Sequence, residues 1–173
     1  TEIAFRYRNN KELKRAHFLF SSMSSPFLSK TGMKLTQLAM SWNLPVKSMV
    51  KKTIFQQFCG GETIEEAAQT SATLGKYKVD VALDYSVEGK EEEAEFDHAV
   101  PEFIRAIEYA ATQNNIPFIP IKITGFARFA LLEKLHSNET LTAEEQEEWK
   151  RVQTRIDKIC ATAARCKSMI LVD

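Results

Sequence analysis

From residue 76 onward the chain alternates between two periodicities, and that alternation limits its possible folds more than any other feature. "KVDVALDYSV" (78–87) is β-branched and apolar, whereas "EEEAEFDHAVPEFIRAIEYAATQ" (91–113) repeats apolar residues at helical spacing. "PFIPIKI" (117–123) is strand-like again, "FARFALLEKLH" (126–136) and a long stretch after Thr142 are helical, and "SMILVD" (168–173) is the third strand. Strand, helix, strand, helix, strand predicts a parallel sheet with right-handed crossovers, an α/β architecture. The helix over 91–113 gathers Ala99, Val100, Phe103, Ile104, Ile107, Ala110 and Ala111 on one face, and Pro101 is expected to break or kink it. Thr142-x-x-Glu145 reads as a capping box for the last helix, whose stripe is Trp149, Val152, Ile156, Ile159, Ala163 and Cys166.

Residues 1–75 have a different character and form a helical segment, leaving 76–173 as the α/β part. Asn10 is placed to cap a helix carrying Leu13, Ala16, Phe20 and Met23. "SSP" (24–26) breaks it, and Pro26 opens a second helix to about Trp42. "NLP" (43–45) breaks again before a third helix over 45–58. The pair Gly60-Gly61 permits a tight turn, and Thr63-x-x-Glu66 is a second capping box, opening a helix to about Gly75.

Composition removes several functions. Lys+Arg and Asp+Glu balance at 23 each, so no basic field points to nucleic acid. No run approaches the roughly 18 apolar residues of a membrane span. The N-terminus has no signal-peptide core and no Met; a trimmed chain in the cytoplasm is expected. Cys59, Cys160 and Cys166 have no metal or redox spacing and fit a reducing compartment. His17, His98 and His136 stand at no ligand spacing, and no metal is expected. No G-x-G-x-x-G follows the first strand, and "EGKEEEAEFD" reads as a solvated helix start.

Charge gathers at the strand ends. Asp84 and Glu88 end the first strand, Lys122 stands on the second and Asp173 ends the third. Ligands of parallel α/β folds sit at the carboxyl ends of strands. An ammonium inside the apolar run "IPFIPIKITGF" costs several kcal/mol to bury unless paired. Acids from adjacent strands would neutralise Lys122 and complete a charge-paired pocket; a structural ion pair or a solvent-facing edge would account for it equally. On the residues alone, two functions are compatible with such a rim: a Schiff-base aldolase-type barrel using Lys122, or a non-catalytic α/β binding domain. A closed barrel needs about eight strands and roughly 250 residues. Three strands with bare outer edges therefore read as a fragment.

"FCGGETIEEA", "ALDYSVEG", "IPIKITGF" and "ILVD", in that order, resemble the N-terminal half of the proline dehydrogenase family, in particular its single-function bacterial type. The resemblance implies the N-terminal part of a distorted (β/α)8 TIM barrel that holds FAD. It implies oxidation of L-proline to Δ1-pyrroline-5-carboxylate, with electrons passed to a membrane quinone and peripheral attachment at the inner membrane. Position by position, Lys122 matches the family lysine that pairs with the substrate carboxylate beside the flavin, and so touches the cofactor as well. Asp173 matches the acid opening a "DAEE"-like motif at the substrate pocket. Glu88 matches an acid that gates the site through a substrate-binding arginine, and Asp84 a supporting position at the same strand end. The family's flavin-contacting arginine and lysine and its paired substrate arginines are expected beyond Asp173. The remaining half of the barrel is thus an expected partner, and the fragment alone is expected to be inactive.

Overall fold

The computed structural model describes residues 3, 5–42, 45, 48, 50–87 and 89–173, with the main chain only at 29, 40 and 52. It divides into two units, Thr1–Tyr77 and Lys78–Asp173.

The first unit is helical. Helix α1 (Asn10–Met23) is capped by Asn9, not by Asn10 as the sequence suggested. The reason lies three residues downstream. The Glu12 carboxylate accepts the Asn9 N–H at 2.8 Å while Asn9 Oδ1 accepts the Glu12 N–H at 3.0 Å. From Asn10 the same offset reaches Leu13, which cannot reciprocate. Ser24 ends α1, and α2 (Pro26–Ser41) begins on the proline. The expected break at Asn43-Leu44-Pro45 and the start of the third helix fall partly outside the described residues, at 43, 44, 46, 47 and 49. From Lys51 to Phe55 the chain makes a π turn that runs into one α turn, Gln56–Phe58. The edge of the Phe58 ring meets Phe20 of α1 at 5.8 Å.

Helix α3 (Ile64–Gly75) starts at Thr63, whose hydroxyl accepts the Glu66 N–H. The box is incomplete, because the Glu66 carboxylate turns away from Thr63. It accepts the Glu62 N–H at 2.9 Å and pairs with Lys51 at 3.0 Å. Gly61 must be glycine here. A Cβ would lie 2.6 Å from the Ala67 nitrogen, which is backbone and cannot yield.

The second unit is helix-rich with a small sheet. Helix α4 is Glu93–Ala110, followed by β1 (Phe118–Ile121), a 3-10 turn (Ile123–Gly125), α5 (Phe129–His136), α6 (Ala143–Cys166) and β2 (Met169–Val172). Thr142 and Glu145 complete the capping box of α6. Strands β1 and β2 pair in parallel, Phe118 opposite Met169 and Ile121 opposite Val172. Pro101 neither breaks nor ends α4. It removes one backbone donor, but Phe96, Ala99, Val100, Phe103, Ala106, Ile107 and Ala110 are buried on both sides of it and carry the helix through.

One expected strand is missing. Residues 78–87 form no ladder, so among the described residues the sheet has two strands where three were expected, and no barrel is seen. One proline bears on this. The Ile121 carbonyl accepts the Asp173 N–H at 3.0 Å, so Ile119 and Ile121 face β2. Residues of alternate parity face the opposite edge, and there Pro120 has no N–H to offer. Before the strand, the Val81 N–H reaches the Asn115 carbonyl at 2.8 Å.

Phe96, Phe103, Ile107, Ile119, Ile121, Phe126, Leu131, Val152 and Ile159 fill the interior of this unit. The edge of Phe103 stacks on Phe126 at 4.9 Å, and Tyr85 stacks on Phe103 at 5.6 Å. A smaller cluster of Ala127, Leu131 and Val152 is closed by Leu135, Leu141 and Trp149. β2, by contrast, leaves Met169, Leu171 and Val172 exposed.

Candidate functional site

The registered ends of β1 and β2 place Lys122 and Asp173 side by side. Each is the first residue past its strand, and their equal offset from the Ile121–Val172 pair gives both side chains the same direction. Lys122 Nζ lies 3.8 Å from Asp173 Oδ2. The Lys122 side chain keeps 34% of its exposure and that of Asp173 67%. Lys122 is therefore not the buried ammonium that its apolar neighbours suggested. It stands where the strand ends, wet on one side. A pair this exposed contributes about 0–1 kcal/mol.

The other two candidates are placed differently. Asp84 is exposed in the unpaired 78–87 segment and forms no hydrogen bond or ion pair among the described residues. Glu88 lies outside the described residues. The end of the segment that carries them is nonetheless tied to the turn after Lys122. A Cβ on Gly125 would meet Val87 Cγ2 at 2.7 Å, so only glycine lets the two chains touch. Tyr85, Ser86, Val87, Lys90, Glu95 and His98 border an open cleft of about 470 Å³ beside α4, which Lys122, Asp173 and Asp84 do not line.

Sequence reasoning missed a heavily bonded buried charge in this unit. Arg155 of α6 is 5% exposed, and its Nε donates to Asp97 Oδ1 at 2.9 Å. Nη1 donates to the Phe126 carbonyl at 3.1 Å, Nη2 donates to Glu93, and the guanidinium lies over the Phe96 ring. A signal was present. Arg155 falls three residues after Val152 and four before Ile159, on the stripe that faces the core. Beside it, Arg128 grips Glu148 through two hydrogen bonds of 2.9 and 2.5 Å, the fork geometry that a guanidinium favours. Glu148, and the Lys134–Glu145 pair at 2.6 Å, hold Arg128 and α5 against α6.

These pairs set an acid limit on the fold. Partial burial works to raise the Glu93 carboxyl, but hydrogen bonds from Arg151 and Arg155 outweigh it and hold the group below its usual value of 4.5. A depressed carboxyl stabilises the fold above its unfolded value, and that stabilisation is lost as pH falls through the lower folded value. Helicity followed from pH 7 downward should therefore hold to about pH 4.5 and fall below it. Glu93→Gln should lower stability at neutral pH and flatten that acid limb. An unchanged limb in the variant would contradict the assignment.

No family model matches the sequence. Among curated proteins, the chain is 29% identical over 116 residues to the carbapenem antibiotics biosynthesis protein CarD of Pectobacterium carotovorum subsp. carotovorum, covering 67% of this chain and 31% of that protein. It is 29% identical over 133 residues to mitochondrial proline dehydrogenase 1 of Dictyostelium discoideum, covering 75% of this chain and 23% of that protein. Against mitochondrial proline dehydrogenase 1 of Arabidopsis thaliana the identity is 25% over 166 residues, covering 74% of this chain and 33% of that protein. The chain spans a third or less of the length of these relatives. The similarities support a proline dehydrogenase-like family of oxidoreductases.

Proposed function

We propose that this chain forms part of an FAD-dependent proline dehydrogenase of the single-function bacterial type, oxidising L-proline to Δ1-pyrroline-5-carboxylate. The observation that carries the reading is the Lys122–Asp173 pair, 3.8 Å apart at the carboxyl ends of two registered parallel strands. Similarity to two proteins named proline dehydrogenase supplies the chemistry such a rim would serve. In this reading the unit 78–173 is the start of a (β/α)8 barrel, and further strands pair along the exposed apolar β2.

Lys122 attracts the substrate carboxylate. Its side chain keeps 34% of its exposure, so a planar carboxylate reaches the ammonium and competes with Asp173 for it. Asp173 faces the same space and orients the secondary amine of proline through its charge. Glu88 acts as a gate near the site, and Asp84 supports the end of its segment. The donor set fits one edge of a flavin ring at Lys122. Among the described residues the rim brings no arginine or glycine-rich turn for the pyrophosphate. FAD, when bound, would supply the hydride acceptor for oxidation of the proline ring. Electrons then pass to a quinone at the membrane, and the enzyme sits in the cytoplasm, peripheral at the inner membrane.

The test is an oxidation assay on the protein that carries this sequence, with L-proline and a soluble quinone. Flavin-dependent turnover of L-proline is expected. Borohydride trapping of a carbonyl substrate on Lys122, with no proline oxidation, would contradict the reading and favour Schiff-base chemistry.

A further inference from the structure

A buried arginine is an expensive way to join two helices, because apolar side chains of similar volume often stabilise as well or better. The positions of Arg155's donors suggest what else it does. Two of its nitrogens are fixed by Asp97 and Glu93 of α4, and the third, Nη1, points at the Phe126 carbonyl. That carbonyl is the exit of the turn that begins at Lys122. The Gly125 N–H closes on the Lys122 carbonyl at 2.9 Å, and the Phe126 N–H closes on the Ile123 carbonyl at 2.9 Å. Residues 122–126 thus form one stiff piece, wedged against Val87 at Gly125 and clamped at its end by Arg155.

We propose that Arg155 is a positioning residue: through the Phe126 carbonyl it fixes the turn that sets where the Lys122 ammonium stands. The proposal rests on the reading of Lys122 as the partner of a substrate carboxylate. The planar fork matters because three donors in fixed directions meet three acceptors on two elements at once. A lysine at 155 neutralises Glu93 but cannot aim at Asp97, Glu93 and the Phe126 carbonyl together.

The test is a double-mutant cycle in the FAD-loaded protein, with KM and kcat for L-proline, flavin content and thermal midpoint measured for Arg155→Lys, Lys122→Met and the double variant. Arg155→Lys is expected to raise the KM for L-proline by roughly three- to ten-fold, with kcat within about two-fold and flavin retained. In the Lys122→Met background the same change should leave KM within about two-fold, since no ammonium remains to be misplaced, while the thermal midpoint falls equally in both. An equal rise in KM in both backgrounds would make Arg155 merely structural and overturn the proposal. So would an unchanged KM in Arg155→Lys when Lys122→Met alone raises it. If Lys122→Met leaves proline binding unaltered, the reading of Lys122 itself fails. Should Arg155→Lys not fold, Asp97→Asn, which keeps an acceptor at the exposed end of the fork, is expected to give the same pattern at about two-fold.

Discussion

Lys122→Met is expected to lower kcat/KM for L-proline by roughly thirty-fold or more while FAD stays bound. Methionine keeps most of the unbranched stem and removes only the ammonium. A substrate carboxylate deprived of its cation loses about 2–5 kcal/mol, and each 1.4 kcal/mol is tenfold. Stability should hardly change. The pair with Asp173 is long at 3.8 Å, half-buried at Lys122 and exposed at Asp173, so losing this pair costs about 0–1 kcal/mol. A lysine that mattered only for the fold would give the opposite result, a lowered thermal midpoint with an unchanged KM. Kinetics and a melting curve on the same preparation separate the two.

Phe103→Ala should be among the most destabilising single changes in the 78–173 unit. Phe103 is 1% exposed and stands between Phe126 and Tyr85, which it meets edge-on. Removing a buried ring costs about 3–5 kcal/mol, lost transfer energy plus a cavity the neighbours only partly fill. Against a total of about 5–15 kcal/mol, that is a large fraction. The thermal midpoint should fall by roughly 15 °C or more for a unit of this size. Phe129→Ala is the control, because Phe129 begins α5 with 64% of its surface exposed and its loss should stay within about 0.5 kcal/mol. Comparable losses in both variants would mean that Phe103 is not the centre of the core. Because Phe126 also carries the carbonyl held by Arg155, Phe103→Ala should disturb proline binding as well as stability.

Much of the second unit could be read from its periodicities, because burial imposes them. The buried face of α4 follows its apolar repeat through Ala99, Val100, Phe103, Ile107 and Ala110, and the Thr142–Glu145 box marks the start of α6. The failures have local causes. The 78–87 segment carries the composition of a strand, but composition does not say whether a neighbour can pair with it, and Pro120 removes a donor on the edge it would need. Asn9 and Asn10 are indistinguishable as caps until Glu12 is counted as the reciprocal partner.

At the rim, the side-by-side placement of Lys122 and Asp173 follows from two strands of matched register. The depth of Lys122 did not follow, because the strand stops one residue before it. Arg155 shows the converse. A charge on an apolar stripe looks like an interruption in one dimension, and its partners Glu93 and Asp97 come from a helix about 60 residues away in sequence. The carboxylates of that helix start were read as a solvated face, yet two of them hold the guanidinium.

The central claim is that Lys122 recognises a carboxylate, and ring-sized ligands that differ in that group test it most directly. Inhibition of proline oxidation by cyclopentanecarboxylate and by pyrrolidine would be measured in the wild-type protein and in Lys122→Met. The carboxylate ligand should weaken by roughly thirty-fold in the variant and pyrrolidine by less than about two-fold. Equal losses for both ligands, or none for either, would contradict it.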